Sequence, residues 1–522
     1  MATISKALAH AIAANRAGRL DQAEQVCRQI LQADPRNVQA LHLMATVSFR
    51  LGRHAATVEY LGRAIAVQPR VVAFHNNLSM AYRALNKFDE AIACCQRALE
   101  LDPRCIEAHR NMADALREQK KPGEAVAWYR RTLALVPEDA DVHTALGVAL
   151  QDQGQVDEAA ACYRQAITLK PDHAQAHVNL GLTLQEQRKF DEAAACFRRA
   201  LEVQPDLADA HLALSAIQLL QGDFEHGWPE YEWRWPAKRV TARHFRQPRW
   251  DGRPLAGATI LVHVEQGLGD TIQFIRYAPL LKRQGGRVIV ACQKAMLPLL
   301  ATCPGIDQFI AEGDNLPAFD FHVPLLSLPG ILGTSLTNLP ADIPYLFAAP
   351  ALVEQWRERI RTLPGRKVGI CWQGSSQYAA DAFRSIPPRS IAPLAQVPGV
   401  SLISLQKGAT PAQLAEIGGG FPVLDLAGEL DEKSGAFMDT AAVIANLDLV
   451  VTCDTAVGHL AGALGAPVWV ALSFVSDWRW FLDRDDSPWY PTVRLFRQQQ
   501  RGDWADTFQR IQAALVERVQ CS

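Results

Sequence analysis

An all-α solenoid of helix pairs followed by two parallel-sheet α/β units is the architecture this sequence predicts. Six prolines, Pro35, Pro69, Pro103, Pro137, Pro171 and Pro205, stand 34 residues apart. From about residue 257 that period is lost, and runs rich in β-branched residues lead instead into glycine turns and helical stretches. A length of 522 residues is too great for one ordinary core, so several domains are expected.

Within each period, small residues recur where two helices must touch. Twelve positions before the prolines lie Ala23, Thr57, Ala91, Ala125, Ala159 and Ala193; twenty-four before lie Ala11, Ala45, Ser79, Ala113, Gly147 and Gly181. Eight before come the larger Cys27, Leu61, Cys95, Tyr129, Tyr163 and Phe197. The proline ends the second helix because it has no N–H to donate. This pattern resembles the tetratricopeptide repeat. It implies six repeats over about residues 1 to 207, closed by "ADAHLALSAIQLLQG" as a capping helix, for a solenoid spanning 1–221.

A solenoid of this kind presents a curved groove. Asn77, Asn111 and Asn179 share one repeat position, and a side-chain amide offers both a donor and an acceptor to an extended peptide lying there. The alternative is a structural role between helices. His75, His109, His143, His177 and His211 share the position two residues earlier and read as packing residues with a satisfied ring nitrogen. A whole repeat separates successive rings, which argues against a metal site.

Residues 222–256 lose the period, and "RWPAKRVTARHFRQPRWDGRP" sets seven Arg and Lys against one Asp. By composition this is a basic, aromatic linker, either a solvated connection or a basic flank facing an anionic ligand. The α/β units then follow, at 257–350 and 366–500, with a C-terminal helix over 501–522. "ATILVHVEQGLGD", "RVIVACQ", "KVGICWQGSS", "VSLISLQKG", "LDLVV" and "APVWVAL" read as strands between helices. Paired units of this type hold ligands in the cleft at the carboxyl ends of their strands.

In "LDLVVTCDTAVGHLAGALGAPVW" a strand delivers Asp454, Thr455 and Ala456 to the first turn of a helix. Its unsatisfied N–H groups and the positive end of the helix dipole suit phosphate oxygens. No Walker A, G-x-G-x-x-G or G-x-S-x-G pattern occurs, which removes the main support for nucleotide hydrolase, dinucleotide and acyl-hydrolase readings.

The segment "CDTAVGHLAGALGAPVW" resembles the D-[ST]-x-x-x-H-[LI]-A-x-A-[LM]-G-x-P stretch of glycosyltransferase family 9, best known for heptosyltransferases. "EQGLGD", "RSIPPRSIAPL" and "SLQKG" look like further segments of that family. The resemblance implies a GT-B-type pair of Rossmann-like domains, acceptor-side first and donor-binding second. It implies inverting transfer of a sugar, such as heptose, from a nucleotide-sugar donor. Asp270 then matches the catalytic aspartate, with capping of the helix that begins at Thr271 as its bland role. Arg384 and Lys407 would neutralise the diphosphate. Thr455, Ala456, Val457 and Gly458 would supply backbone donors beside Asp454, His459 would orient a phosphate oxygen, and Gln406 would meet the ribose. Gly374 and Ser375 open the donor loop "GSSQYAADAF", whose 375–383 stretch departs from the more polar loop expected.

Fused repeats suggest a protein or peptide acceptor. The alternatives are an inactive repeat scaffold that binds a partner or a nucleotide sugar, or a transferase acting on a cell-surface glycan. A formal charge of −2 argues against nucleic acid. The N-terminus lacks a signal-peptide h-region, and no apolar run reaches membrane-spanning length. Eleven cysteines without a CxxC pair fit a reducing, cytoplasmic setting. No cofactor beyond the donor co-substrate and no catalytic metal are expected.

Overall fold

The computed structural model describes residues 2–241, 243–375 and 381–521. They fall into two compact units, Met1–Asp206 and Leu207–Ser522.

The first unit is a run of paired helices, from Ala2–Arg16 and Leu20–Ala33 to Ala174–Glu186 and Phe190–Val203. Second helices stop just short of the periodic prolines, as Phe88–Leu101 does before Pro103. The small positions are fully buried, Ala23, Ala91, Ala125, Ala159 and Ala193 among them. Two of the large knobs leave no room for a side chain opposite: a Cβ on Gly147 would come 2.5 Å from the Tyr163 ring, and one on Gly181 2.6 Å from Phe197. Four of the five periodic histidines are structural. Ring Nε2 atoms of His75, His109, His143 and His177 bond the carbonyls of Pro69, Pro103, Pro137 and Pro171 at 2.8, 2.9, 2.9 and 3.0 Å. Each ring thereby ties a carbonyl at the end of one helix pair to the first helix of the next.

The sequence predicts the helix Ala208–Leu220 as the solenoid's cap, within 1–221, but it groups with the second unit. The reason is its packing on the helix Phe224–Tyr231 and the Trp478–Trp480 turn. Residues 222–256 likewise depart from a solvated linker. Trp228, Arg234 and Trp250 are buried there, and Phe224 and Trp228 pack against Phe481 and Trp478. Five of its basic side chains, Arg234, Arg239, Arg243, Arg249 and Arg253, are paired with Glu265, Asp209, Glu312, Glu232 and Asp251, and Arg239 also lines the cleft described below.

Two all-parallel sheets follow. The first orders β3 (Gln308–Ala311), β2 (Arg287–Cys292), β1 (Thr259–His263) and β4 (Phe321–Pro324). The second orders β10 (Val493–Arg497), β9 (Val468–Leu472), β8 (Leu449–Cys453), β5 (Arg366–Cys371), β6 (Val400–Ser404) and β7 (Val423–Asp425). Counted from β7, the second sheet has the 3-2-1-4-5-6 order of a dinucleotide-binding fold, and the first has its 3-2-1-4 part. Strands β8 and β9 are buried at every position, as a sheet covered on both faces requires. The C-terminal helix Trp504–Gln520 closes one face, burying Trp504, Phe508, Ile511 and Leu515 in the core beneath β5 and β6. Among the described residues, no helix is long and apolar enough to cross a membrane.

Candidate functional site

In sheets of this order the strand order reverses between the first and fourth strands, and the loops there splay apart. The turns after β1, β5 and β8 leave from those positions and open onto one cleft of about 1120 Å³. The cleft lies within the second unit. Asp270, Gly374, Ser375, Arg384, Gln406, Lys407, Asp454, Thr455, Ala456, Val457 and His459 all line it.

Asp270 follows β1 in the turn Gly267-Leu268-Gly269. The helix expected to begin at Thr271 begins at Leu268, with Asp270 in its first turn; the Asp270 Oδ2 accepts the Gly267 N–H at 3.0 Å and so caps that earlier start. Its Oδ1 accepts from Arg479 Nη2 at 2.5 Å. Burial pushes the carboxyl up, against the lowering effect of the Arg479 charge.

The helix Ala456–Ala463 begins after β8 with Thr455 as an extended N-cap whose side chain does not cap it. The Thr455 hydroxyl lies 3.1 Å from that of Thr452 instead. The N–H groups of Ala456 and Val457, at the first two helical positions, have no acceptor within the helix. Gly458 corrects the expectation of a further donor: its N–H reaches the Thr455 carbonyl at 3.0 Å, and it is not among the cleft residues. It packs toward Thr452 and Val470 behind the turn. Asp454 is pushed up to about 6 by burial and by the facing Asp477 carboxylate.

His459 is 5% exposed, lies 3.0 Å from the Tyr490 hydroxyl through Nδ1, and stacks on Trp480. Burial among Arg479, Arg276 and Arg384 holds its pKa well below the usual histidine value, so it carries no positive charge to the cleft at neutral pH. Gln406 lines the cleft and also serves the backbone. Its Oε1 already accepts the N–H groups of Trp372 and Gln373 at 3.1 and 2.9 Å, which fixes the chain leaving β5. Gly374 leaves room for the Arg384–Asp381 pair: a Cβ there would stand 2.4 Å from Arg384 Nη2. Lys407 reaches the cleft while donating to the Leu430 carbonyl and to Glu432, at 3.0 and 2.9 Å. Of the expected 375–383 loop, residues 376–380 lie outside the described residues.

Sequence reasoning missed several groups. Asp477, Trp478 and Arg479 enter from the turn after β9, Lys433 from the loop after β7, and Tyr231 from the stretch that reads as a linker. Glu265, buried and pushed up to about 7, accepts from Arg234 and from the N–H groups of Leu325 and Leu326. The usable signal was position, since loops at the carboxyl ends of parallel strands line the cleft. The carboxylate run Asp483-Arg484-Asp485-Asp486 stands apart from the site: Arg484 pairs with Asp486 and the run does not line the cleft. Among the described residues, no group of three or more His, Cys, Asp or Glu side chains is arranged to hold a metal ion.

The expected repeat-groove asparagines part company. Asn111 is buried, and its amide donates to Asn76 at 2.6 Å, so it joins neighbouring repeats. The repeat curvature brings positions 35 apart together, which the shared 34-residue register does not foretell. Asn77 and Asn179 are half-buried, bonded to His42 and Gln175 at 2.9 Å each.

Comparison with known proteins adds to this geometry. The tetratricopeptide repeat family matches residues 7–29, 42–104, 76–140, 152–188 and 174–207. Glycosyltransferase family 9 (heptosyltransferase) matches residues 397–473, from just before β6 to just past β9. Protein FlbA of Caulobacter vibrioides is 30% identical over 329 residues, 58% of this chain and 54% of that protein. The chain therefore spans about half the length of that relative. Among solved structures, the tetratricopeptide protein TTC0263 of Thermus thermophilus is 23% identical, with a TM-score of 0.31 over 35% of this chain and 98% of its own. MamA of Desulfovibrio magneticus is 19% identical, with a TM-score of 0.30 over 33% of this chain and 96% of its own. The chain thus carries tetratricopeptide repeats in its N-terminal part and a glycosyltransferase family 9 (heptosyltransferase) domain in its C-terminal part.

Proposed function

We propose that the α/β half is an inverting, metal-independent glycosyltransferase of GT-B type, using a nucleotide-sugar donor. The acceptor is a protein recruited by the repeats. The observation that carries this reading is the meeting of the Asp270 turn and the Asp454–His459 turn on one cleft. Inverting transfer needs a base for the acceptor hydroxyl and a site that stabilises the departing phosphate. Asp270 takes the proton. The Ala456 and Val457 N–H groups receive the leaving phosphate oxygens, with Arg384, Lys407 and Lys433 around them.

A heptose is one sugar that fits the family match. Asn77 and Asn179, half-buried on first helices of the repeats, are the groove amides proposed to meet the acceptor chain. The test is mass spectrometry of the purified protein incubated with a panel of sugar nucleotides and candidate acceptor proteins. A sugar-sized mass gain on an acceptor supports the reading.

The second reading is a scaffold that binds a nucleotide sugar without turnover. It is favoured by the two hydrogen bonds that already occupy both oxygens of Asp270. Saturable donor binding with neither transfer nor donor hydrolysis would select it.

A further inference from the structure

We propose that Arg479 is the positioning residue for Asp270, and that its guanidinium, held by Asp477, sets both the aim and the charge of that carboxylate. This rests on the reading of Asp270 as the proton acceptor. The geometry is a three-way fork. Arg479 Nη2 donates to Asp270 Oδ1 at 2.5 Å, Nη1 to Asp477 Oδ1 at 2.8 Å, and Nε to Gln273 Oε1 at 2.9 Å. The guanidinium lies 4.3 Å from the centre of the Trp478 ring, and the residue is 7% exposed. A planar guanidinium satisfies three acceptors in one plane, which an ammonium point charge does not.

Asp270 and Gln273 belong to the helix Leu268–Phe274 after β1, whereas Arg479 belongs to the turn after β9. The second sheet therefore fixes the orientation of a carboxylate carried by the first. Without that bond, the Asp270 side chain keeps only its bond to the Gly267 N–H.

The charges around Asp270 act in opposite directions. Arg479 and Arg384 favour the carboxylate, while Asp477 and burial oppose it. Glu265 and Tyr231 face it from β1's end and from the helix before Arg234, and Asp454 shares Asp477 and Arg479 with it. Two single substitutions should therefore move its titration opposite ways.

The experiment is the pH profile of kcat/KM for the acceptor at saturating donor, so that protonation of Asp454 before donor binding does not enter. Arg479→Gln should lower kcat by about 100-fold, the order expected for a misplaced catalytic group. It should also move the acidic limb up by about one pH unit or more, the usual effect of a lost opposite charge. Asp477→Asn should move the limb down. Arg479→Lys should keep the limb near wild type while regaining only part of kcat. A limb that stays in place in both Arg479→Gln and Asp477→Asn overturns the proposal. Should Arg479→Gln fail to fold, the half-buried Asp477 decides through its own substitution, and an unmoved or raised limb in Asp477→Asn overturns the proposal. Failure of the underlying reading looks different, because Asp270→Asn would then retain transfer.

Discussion

Gly269 lies so close to the donor-side turn that a Cβ on it would stand 3.4 Å from Ala456 Cα and 3.4 Å from His459 Cδ2. The turn after β1 and the turn after β8 are thus in direct contact, each offering its smallest surface to the other. A branched side chain at Gly269 would wedge the Leu268–Phe274 helix away from Ala456–Ala463. Gly269→Val is expected to lower both donor affinity and kcat, measured by calorimetry and by transfer assay. Wild-type values for both would show that this contact does not shape the cleft.

The Asp454 carboxyl is pushed up to about 6 by burial and by Asp477, so the proposed donor binding should depend on pH. Because the folded value exceeds the unfolded one of about 3.9, its contribution to stability is fully present below about pH 4 and is lost as pH rises through about 6. The same protonation removes a negative charge from the turn proposed to hold phosphate. Asp454→Asn should therefore bind a nucleoside diphosphate more tightly than wild type at about pH 7.5, and the two should converge below about pH 6. Calorimetric affinities that stay equal at every pH would place the ligand away from Asp454.

In the solenoid, Gly147 faces Tyr163 with no room for a methyl group. Gly147→Ala should destabilise the repeats by about 1–3 kcal/mol, the range for overpacking a tight core. Pairing it with Tyr163→Leu should recover most of that loss, because Ala45 and Leu61 fill the same two positions in an earlier repeat. Thermal unfolding of the single and double variants checks this; equal midpoints for wild type and Gly147→Ala would contradict it.

The asparagines of the shared repeat position should behave differently from one another. Asn111→Ala leaves the buried Asn76 amide oxygen without its donor, a loss of about 1–3 kcal/mol in stability. Asn77→Ala with Asn179→Ala should leave stability nearly unchanged and raise the acceptor KM. Denaturant titration and transfer kinetics on the two variants separate these effects, and a raised KM only in Asn111→Ala would reverse the assignment.

The solenoid was legible because proline spacing and small-residue positions encode helix packing directly. Six strands, β1, β2, β5, β6, β8 and β9, were legible as apolar runs, since strands buried on both faces have no polar alternation to obscure them. The short β3, β4 and β7, and β10 with arginines at two of its five positions, carried no such run. At the site, Asp454 could be read from its place in a strand-to-helix turn, and Asp270 from the family resemblance of "EQGLGD". Arg479 could not, because nothing local to "SDWRW" indicates that its side chain reaches a carboxylate 209 residues earlier. The backbone bonds of Gln406 were hidden for a related reason: an amide beside a strand end is as useful to the backbone as to a ligand.

The most direct test of the account is Asp270→Asn, assayed in parallel for sugar transfer to the acceptor and for calorimetric binding of the donor. Transfer should be abolished while donor affinity is retained, since the carboxamide keeps the size of the side chain and removes the proton acceptor. Transfer at the wild-type rate by Asp270→Asn would contradict it.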